Sequence, residues 1–277
     1  MAKLEQGIVR RDDAARSFDP QDKLMAPSEQ DRGAVGRVEL FGLTIDPVTL
    51  GEAVARVNGF IGRGGTAQHV AVNVDKAVKA SRDPELLRAI NSADLVTADG
   101  QPLVWASRLL GRPLPERVTG IDLMMALFEL ADARGYSVYL LGASQAVVDA
   151  VASRLGRDYP GIRVVGAHHG YFPPAEEPAI VGEIHRVAPD LLFVAISSPA
   201  KEKFLARWKG RLNARFVMGV GGSFDVYAGV RMRAPRWMQR LGLEWLFRLL
   251  QEPRRMWRRY LVEDLRFVRL LLRELSR

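Results

Sequence analysis

Short apolar runs alternate along the chain with longer amphipathic stretches. Six apolar runs, rich in β-branched and aromatic residues, predict buried strands over residues 69–73, 94–98, 137–141, 162–166, 190–196 and 216–220. Stretches of helical length between most of these runs predict helices over residues 47–61, 84–92, 101–110, 121–134, 145–159, 174–187 and 199–212. Because strands covered on both faces have continuous apolar runs, the pattern predicts an α/β fold: a Rossmann-like, mostly parallel sheet with helices on both faces.

The two ends of the chain depart from this alternation. Residues 1–33 are polar, carry mixed charges and show no period, which predicts a mostly disordered leader. Two arginine-rich stretches near residues 236–250 and 253–275 predict two further helices. We therefore divide the chain into a leader (1–33), an α/β core (34–230) and a helical appendage (231–277). The second helix of the appendage has an apolar stripe at helical spacing, formed by Met256, Trp257, Tyr260, Leu261, Leu265, Val268 and Leu272.

The net charge of +8 is located in the appendage. Residues 231–277 contain 13 arginines, no lysine and five acidic residues, so the first 230 residues are neutral overall. Arginine interleaved with tryptophan and tyrosine on an amphipathic helix is typical of a helix that lies on a membrane surface. Each cation near an anionic leaflet contributes about 1 kcal/mol, so a few arginines would hold the protein there. Packing of the helices on the core is the other interpretation, and it accounts for part of the stripe.

The composition narrows both the compartment and the chemistry. The chain has no cysteine, which excludes disulfides and thiolate chemistry. The first residues lack the apolar core of a signal peptide, and the longest apolar runs are too short to cross a bilayer. We expect a peripheral protein at the cytoplasmic face of the cell membrane.

Candidate functional residues follow the predicted strands, because ligands of parallel sheets bind beyond the carboxyl ends of the strands. Asp99 follows one strand and precedes a helix, where it could act as a general base or simply cap the helix. Arg117 opens the next helix and could offer a cation to a phosphate. Turns at Leu141-Gly142-Ala143-Ser144 and Gly219-Val220-Gly221-Gly222 suit a nucleotide diphosphate, although neither has the full dinucleotide fingerprint.

The sequence shows no pattern of metal ligands. The pair His168-His169 has no cysteine or carboxylate cluster beside it, and no Asp-x-Asp follows a predicted strand. We therefore expect neither a metal nor a cofactor. A bound diphosphate would then be neutralised by arginines and backbone amides.

Taken in order, these segments resemble the WecG/TagA/CpsF family of glycosyltransferases over roughly residues 37–260. Each motif is weak by itself, but the whole series in the right order and spacing is highly specific. The motifs are Val72-Asn73, Ala98-Asp99-Gly100, Arg117-Val118-Thr119-Gly120, Leu141-Gly142, Ser198-Pro199-Ala200-Lys201-Glu202, Gly219-Val220-Gly221-Gly222-Ser223-Phe224-Asp225, Arg233-Ala234-Pro235, and Gly242-Leu243-Glu244-Trp245-Leu246-Phe247-Arg248 with Glu252-Pro253-Arg254-Arg255.

The resemblance implies an inverting, metal-independent transfer of a sugar from a UDP-sugar donor to a sugar on a polyprenyl diphosphate. The products of such enzymes are exopolysaccharides, teichoic acids or common antigen. The resemblance implies that Asp99 is the catalytic base and that the appendage closes over the site besides binding an anionic membrane surface. The substrate-binding positions that it implies are Asn73, Arg117, Lys201, Asp225, Arg248, Arg255 and Arg258.

Two departures from the family pattern bear on the donor. Ala71 stands where the family often has a threonine, two residues before the asparagine. Lys201 stands where the family commonly has a glutamine, which exchanges an amide for a cation in the expected donor pocket. The donor is therefore left open between N-acetylmannosamine and a glucose-, galactose- or uronate-type sugar.

Two other functions compete with this interpretation. A Rossmann-type nucleotide-cofactor enzyme would need an intact glycine fingerprint and an acidic residue at the end of the second strand. A basic-tailed nucleic-acid-binding protein would use its arginines on phosphates, but here they alternate with tryptophan and leucine on amphipathic helices. We expect no nucleic-acid partner, and association into a homo-oligomer is left open.

Overall fold

The computed structural model of the protein describes residues 36–240, 242–251, 253 and 264–276. The predicted leader, Arg255 and Arg258 lie outside the described residues. The strands are β1 (Val38–Leu40), β2 (Leu43–Ile45), β3 (Ala67–Val72), β4 (Leu95–Ala98), β5 (Ser137–Gly142), β6 (Arg163–His168), β7 (Leu191–Ala195) and β8 (Phe216–Gly219).

The helices connect these strands and continue beyond them. Those of the core are α1 (Leu50–Arg63), α2 (Val74–Ala80), α3 (Pro84–Asn91), α4 (Gln101–Leu109), α5 (Gly120–Arg134), α6 (Gln145–Asp158), α7 (Glu177–Val187), α8 (Ala200–Trp208) and α9 (Ser223–Tyr227). Short 3-10 turns at Pro174–Glu176 and Lys209–Arg211 adjoin α7 and α8. The last three helices are α10 (Arg236–Arg240), α11 (Glu244–Gln251) and α12 (Asp264–Leu275).

Strands β3 to β8 form one parallel sheet in the order β4-β3-β8-β7-β5-β6. Each of the six predicted strands overlaps one of them, so the predicted parallel α/β fold is confirmed. Strands β1 and β2 form a separate antiparallel hairpin that the sequence pattern does not predict. At three residues each, they are too short to show a period.

The sheet is covered on both faces, as predicted. On one face, helices α1, α5 and α6 pack on strand residues such as Phe193 and Phe216. On the other face, the hairpin and helices α2 to α4 pack on Val70 and Val96, while α7 and α8 pack around Val217. Burial of both faces explains why the strands consist of continuous apolar runs.

Side-chain caps begin several helices directly at the carboxyl edge of the sheet. Asn73 follows β3 immediately, and its Oδ1 accepts a hydrogen bond of 3.0 Å from the backbone N–H of Lys76 in the first turn of α2. Thr119 Oγ1 accepts a hydrogen bond of 3.1 Å from the N–H of Asp122 in α5. Ser144 caps α6 in the same way. These caps satisfy N–H groups that have no partner within the helix, and they fix the loops that end at this edge.

The appendage differs in part from its prediction. The prediction of one helix over residues 236–250 is wrong, because α10 and α11 are separated around Gly242, whose φ of 72° is incompatible with a continuous right-handed helix. Helix α12 packs on the core: Phe267 is buried and its ring lies 5.1 Å from that of Phe41 in an edge-on arrangement. The division of the chain at residue 231 stays a prediction. In the described part of the chain, no helix has the length and apolar character needed to cross a bilayer.

Gly142 ends β5 at a point where two backbones come close together. Its φ is 130°, and a Cβ atom there would lie 2.5 Å from the carbonyl carbon of Ala195 at the end of β7. Both the backbone conformation and the space therefore require glycine. This close approach holds the ends of β5 and β7 together at the carboxyl edge of the sheet.

We expect Gly142→Ala to lower the free energy of unfolding by about 2–6 kcal/mol, since backbone strain and overpacking each cost about 1–3 kcal/mol. Urea denaturation measures the change. Gly156→Ala is the matched control, because Gly156 lies in α6 with no atom near its Cβ position. That variant should be stabilised by about 0.5–1 kcal/mol. Similar stabilities for the two variants would contradict the close approach.

Candidate active site

A cleft of about 890 Å³ opens at the carboxyl edge of the sheet. Strands β3, β4, β5, β7 and β8 all end there, and the loops that follow them form its walls. The first turn of α2 and part of α11 complete the enclosure. Its polar and charged lining includes Asn73, Asp75, Lys76, Lys79, Asp99, Thr119, Ser144, Tyr171, Ser198, Lys201, Asp225, Arg231, Arg233, Glu244 and Gln251.

Asn73 and Asp99 lie side by side in this cleft because their strands pair in parallel. Val72 is aligned with Ala98, so the residue after each strand reaches the same edge. The N–H of Asp99 donates a hydrogen bond of 2.6 Å to the carbonyl of Val72, which ties the two strand ends together. The Oδ1 of Asn73 caps α2 and thereby orients the amide. Asp99 precedes α4, whose N-cap is Gly100, and no side-chain cap is formed at that position.

Three buried charges form the floor of the cleft: Lys76 on α2, and Lys201 and Glu202 on α8. The Nζ of Lys76 lies 2.8 Å from Glu202 Oε1 and donates a hydrogen bond of 2.6 Å to the carbonyl of Ala71. The Nζ of Lys201 lies 3.6 Å from the same Oε1. Two cations therefore share one carboxylate.

Burial and mutual charge shift the pKa values of this floor. Burial would raise the pKa of Glu202, but Lys76 and Lys201 together lower it to about 2, so the carboxylate stays ionised. Burial, followed by repulsion from Lys76, lowers the pKa of Lys201 to about 8. Below them, burial lowers the pKa of His69 to about 3, so this histidine is neutral. Its Nε2 lies 2.9 Å from Thr97 Oγ1.

A second group of charges lies where the appendage meets the core. Arg117 Nη1 donates a hydrogen bond of 2.5 Å to Glu244 Oε2 at the start of α11. Arg233 Nη2 lies 2.6 Å from Asp122 Oδ1, and its Nε lies 3.6 Å from Glu244 Oε1. Glu244 thus connects two arginines and fixes the first turn of α11 beside the cleft.

The structure brings together most of the described residues that the sequence predicts for the site. Asn73, Asp99, Lys201 and Asp225 all line the cleft. Arg117 does not line it, and its guanidinium instead contacts Glu244, which does. Arg248 belongs to α11, whose residues Phe247 and Gln251 reach the cleft.

Sequence reasoning missed several lining residues. Lys76 lies three residues after Asn73, which places both on one face of α2, but α2 itself is not predicted. Glu244 belongs to a motif of the resemblance, yet only its contact with Arg117 reveals what it does. Tyr171, an exposed aromatic in the loop after β6, carries no pattern that could have identified it.

The arrangement offers two chemical functions. Asp99 is a carboxylate at the rim of the sheet, suited to accept a proton from a hydroxyl bound in the cleft. The lysines and arginines around it are suited to bind anionic groups such as phosphates. Among the described residues, no cluster of three or more His, Asp or Glu side chains is placed to hold a metal ion.

The fold and the site together define an α/β protein with a cleft beyond the ends of its strands, lined in part by cations that suit an anionic ligand. The sequence profile of the glycosyl transferase WecG/TagA/CpsF family matches residues 38–277, and the chain belongs to this family. The protein is therefore a glycosyltransferase, and the predicted family and enzyme class are confirmed.

Similar curated proteins carry one name, N-acetylglucosaminyldiphosphoundecaprenol N-acetyl-beta-D-mannosaminyltransferase. The protein of that name from Bacillus spizizenii is 36% identical over 192 residues, which are 69% of this chain and 74% of that protein. The one from Bacillus subtilis is 35% identical over 190 residues, or 69% of this chain and 73% of that protein. The one from Staphylococcus aureus MW2 is 32% identical over 231 residues, or 83% of this chain and 90% of that protein.

We expect Lys76→Met to lower the free energy of unfolding by about 3–5 kcal/mol, because it leaves the buried carboxylate of Glu202 without its nearest cation. Denaturant titration at pH 7 measures the loss. Lys79→Met is the matched control on the same helix: the side chain of Lys79 is 42% exposed and pairs with Asp75 at 2.9 Å. Loss of such a surface pair costs less than about 0.5 kcal/mol. Equal losses in the two variants would show that the floor is not a buried ion pair.

Proposed function

We propose that the protein transfers a sugar, with inversion, from a UDP-sugar to a sugar carried on a polyprenyl diphosphate, in the synthesis of a cell-surface polysaccharide. The observation that carries this proposal is the placement of Asp99. Its carboxylate lies at the edge of a parallel sheet, in a cleft whose floor contains Lys76 and Lys201. A base and an anion-binding floor in one cleft are what transfer from a nucleotide diphosphate requires.

In the proposed reaction, Asp99 accepts the proton of the acceptor hydroxyl as its oxygen attacks the anomeric carbon of the donor. The new bond forms on the face opposite the UDP group, and the bond between the anomeric carbon and the diphosphate oxygen breaks. The electron pair leaves with UDP, so negative charge develops on the diphosphate. Nearby cations stabilise that charge in the transition state, and the proton stays on Asp99 until solvent removes it.

The names of the relatives support the acceptor class. They describe transfer of N-acetylmannosamine to N-acetylglucosaminyl diphosphoundecaprenol. We propose an acceptor of the same class, a sugar on a polyprenyl diphosphate, for this protein. The donor sugar and the final polysaccharide stay open, since Lys201 places a cation where the family commonly has an amide.

A membrane-bound acceptor requires the enzyme to reach a membrane, and one surface suits that role. The ends of α4 and α12 are adjacent: Nη1 of Arg112, three residues after α4, lies 3.2 Å from Oε1 of Glu274 on α12. Exposed arginines accompany this surface at Arg108, Arg269 and Arg273. Apolar side chains with cations beside them favour an anionic membrane surface, at the cytoplasmic face of the cell membrane. The exposed apolar side chains of the two helices are Trp105, Leu109, Leu265, Val268, Leu272 and Leu275.

A product assay tests the proposed reaction. The protein is incubated with a panel of UDP-sugars and with lipid-diphosphate-sugar acceptors, and the products are read by mass. We expect one donor to extend the acceptor by one sugar with release of UDP, and Asp99→Asn to lower turnover by about 100-fold or more. The variant should still bind UDP, because the amide keeps the shape of the carboxylate. Near-normal turnover in the variant would remove Asp99 from the mechanism, and no product from any donor would refute the function.

Membrane association gives a separate prediction. Replacing Arg269 and Arg273 with Gln should weaken binding to anionic liposomes by about 30-fold, because each cation near the leaflet contributes about 1 kcal/mol. Flotation with anionic and zwitterionic vesicles measures the change. The control replaces Arg157 and Arg186 with Gln: both are exposed on α6 and α7, at the opposite edge of the sheet. The same loss in the control would mean that net charge, and not this surface, directs the binding.

A further inference from the structure

Lys201 is a buried cation with an unusual position. It belongs to the first turn of α8, its side chain is 7% exposed, and it reaches the cleft below the end of β8. A Cβ atom at Gly219 would lie 2.5 Å from Lys201 Cε and 3.1 Å from Nζ. Glycine at this position therefore leaves the space through which the lysine passes.

The charge of Lys201 is only partly balanced by the protein. The nearest carboxylate, Glu202, lies 3.6 Å from Lys201 but 2.8 Å from Lys76, so Lys76 takes the closer contact. Asp99 after β4 is near enough to stabilise the charge, and His69 on β3 is neutral. Among the described residues, Lys76, Glu202 and Asp99 shift the pKa of Lys201, and Asp225, Arg231 and Arg233 are the further charged groups nearby in the same cleft. A buried cation whose closest anion is engaged elsewhere is stabilised by an anionic ligand.

We infer that Lys201 binds the negatively charged part of the donor on the floor of the cleft, and that it does so only while it is protonated. This inference rests on the proposed function, because it assumes a nucleotide-sugar in the cleft. It goes beyond that function by making donor binding depend on one titratable side chain.

The pKa of Lys201 sets the pH range of this effect. Burial lowers it from 10.5 to about 8. The lysine is therefore charged at pH 7 and loses its proton as the pH rises through about 8. At pH 9 roughly a tenth of the free protein would be protonated, so the apparent affinity for the anion should fall about tenfold between pH 7 and pH 9.

Two anionic groups of a nucleotide-sugar could occupy this position. One is the diphosphate, which every UDP-sugar carries. The other is the carboxylate of a uronic acid, if the donor has one. Both would accept charge-assisted hydrogen bonds from the ammonium group, and binding of different nucleotides distinguishes them.

Calorimetric titration of the full chain with UDP, UDP-glucose and UDP-glucuronate at pH 7 and pH 9 tests the inference. If Lys201 binds the diphosphate, Lys201→Gln should weaken all three ligands by about 10- to 100-fold at pH 7 and remove the dependence on pH. If it binds a carboxylate, UDP and UDP-glucose should bind as before. The preference of the wild-type protein for UDP-glucuronate would then be lost in the variant.

Two further variants test whether the position of Lys201, and not simply the loss of a positive charge on α8, causes the effect. Gly219→Ala should reproduce the effect of Lys201→Gln without changing any charge, because the methyl group displaces the lysine. Lys203→Gln is the control on the same helix, since Lys203 points to Glu85 at 2.9 Å and is exposed. It should retain wild-type affinities and the same dependence on pH.

Unchanged nucleotide binding in Lys201→Gln would overturn the inference. If Lys201→Gln binds UDP and UDP-glucuronate as the wild-type protein does at both pH values, Lys201 is a structural cation only. This readout measures binding and not turnover. A protein that binds UDP through Lys201 but transfers no sugar would refute the proposed reaction and leave the inference standing.

Discussion

The buried carboxylate of Glu202 holds the floor of the cleft together. It stays ionised because Lys76 and Lys201 lower its pKa to about 2, and in return it allows two cations to be buried beneath the cleft. The two lysines come from different helices, α2 and α8, so this carboxylate also links the loops after β3 and β7. Without it, burial of either cation would cost several kcal/mol, and the lysines would have to turn toward solvent or lose their protons.

The cations of this floor change the expectation, drawn from the net charge, of which residues would bind a diphosphate. The first 230 residues are neutral overall, which suggests that a diphosphate would depend on arginines of the appendage. The structure places Lys76 and Lys201 of the core in the cleft, together with Arg231 and Arg233 next to the junction with the appendage. The cleft also contains the carboxylates of Asp75, Asp99, Asp225 and Glu244, so cations and carboxylates are nearly equal in number there as well. Binding of an anionic ligand by the core would therefore depend on individual side chains such as Lys201, and not on an excess of positive charge.

Much of the fold could be predicted because its strands are buried on both faces. A strand such as β7 is apolar at every position, and each helix between strands is long enough to show a period. The same logic fails where elements are short or begin without a break. The hairpin has three residues a strand. Helix α2 has seven residues and starts directly after Asn73, so the predicted strand included its cap and the helix was not predicted. The helix break at Gly242 depends on a positive φ, which glycine can adopt but which its presence in the sequence does not predict.

The residues of the site also fall into those that could be predicted from the local sequence and those that depend on contacts between distant segments. Asp99 and Asn73 could be predicted because residues after parallel strands meet at one edge, and the resemblance gives them roles. The cluster of Lys76, Lys201 and Glu202 could not, since its energetics depend on distances between two helices far apart in sequence. Sequence reasoning assigned Lys201 to the pocket but had no means of finding Lys76 on α2, which shares the carboxylate of Glu202 with it.

The contact between Arg117 and Glu244 links the substrate cleft to the appendage. Arg117 opens α5 in the core, and Glu244 opens α11, whose residues Phe247 and Gln251 line the cleft. A phosphate that reached the guanidinium of Arg117 would compete with the carboxylate of Glu244, since both bind the same donor groups. Displacing Glu244 would free the first turn of α11, while its contact with Arg233 would keep the helix close. Binding of an anion at Arg117 and the position of α11 would therefore be coupled through one ion pair. Such a coupling is reciprocal, so attachment of the appendage to a membrane, as proposed, would in turn change how readily Arg117 becomes available to an anion.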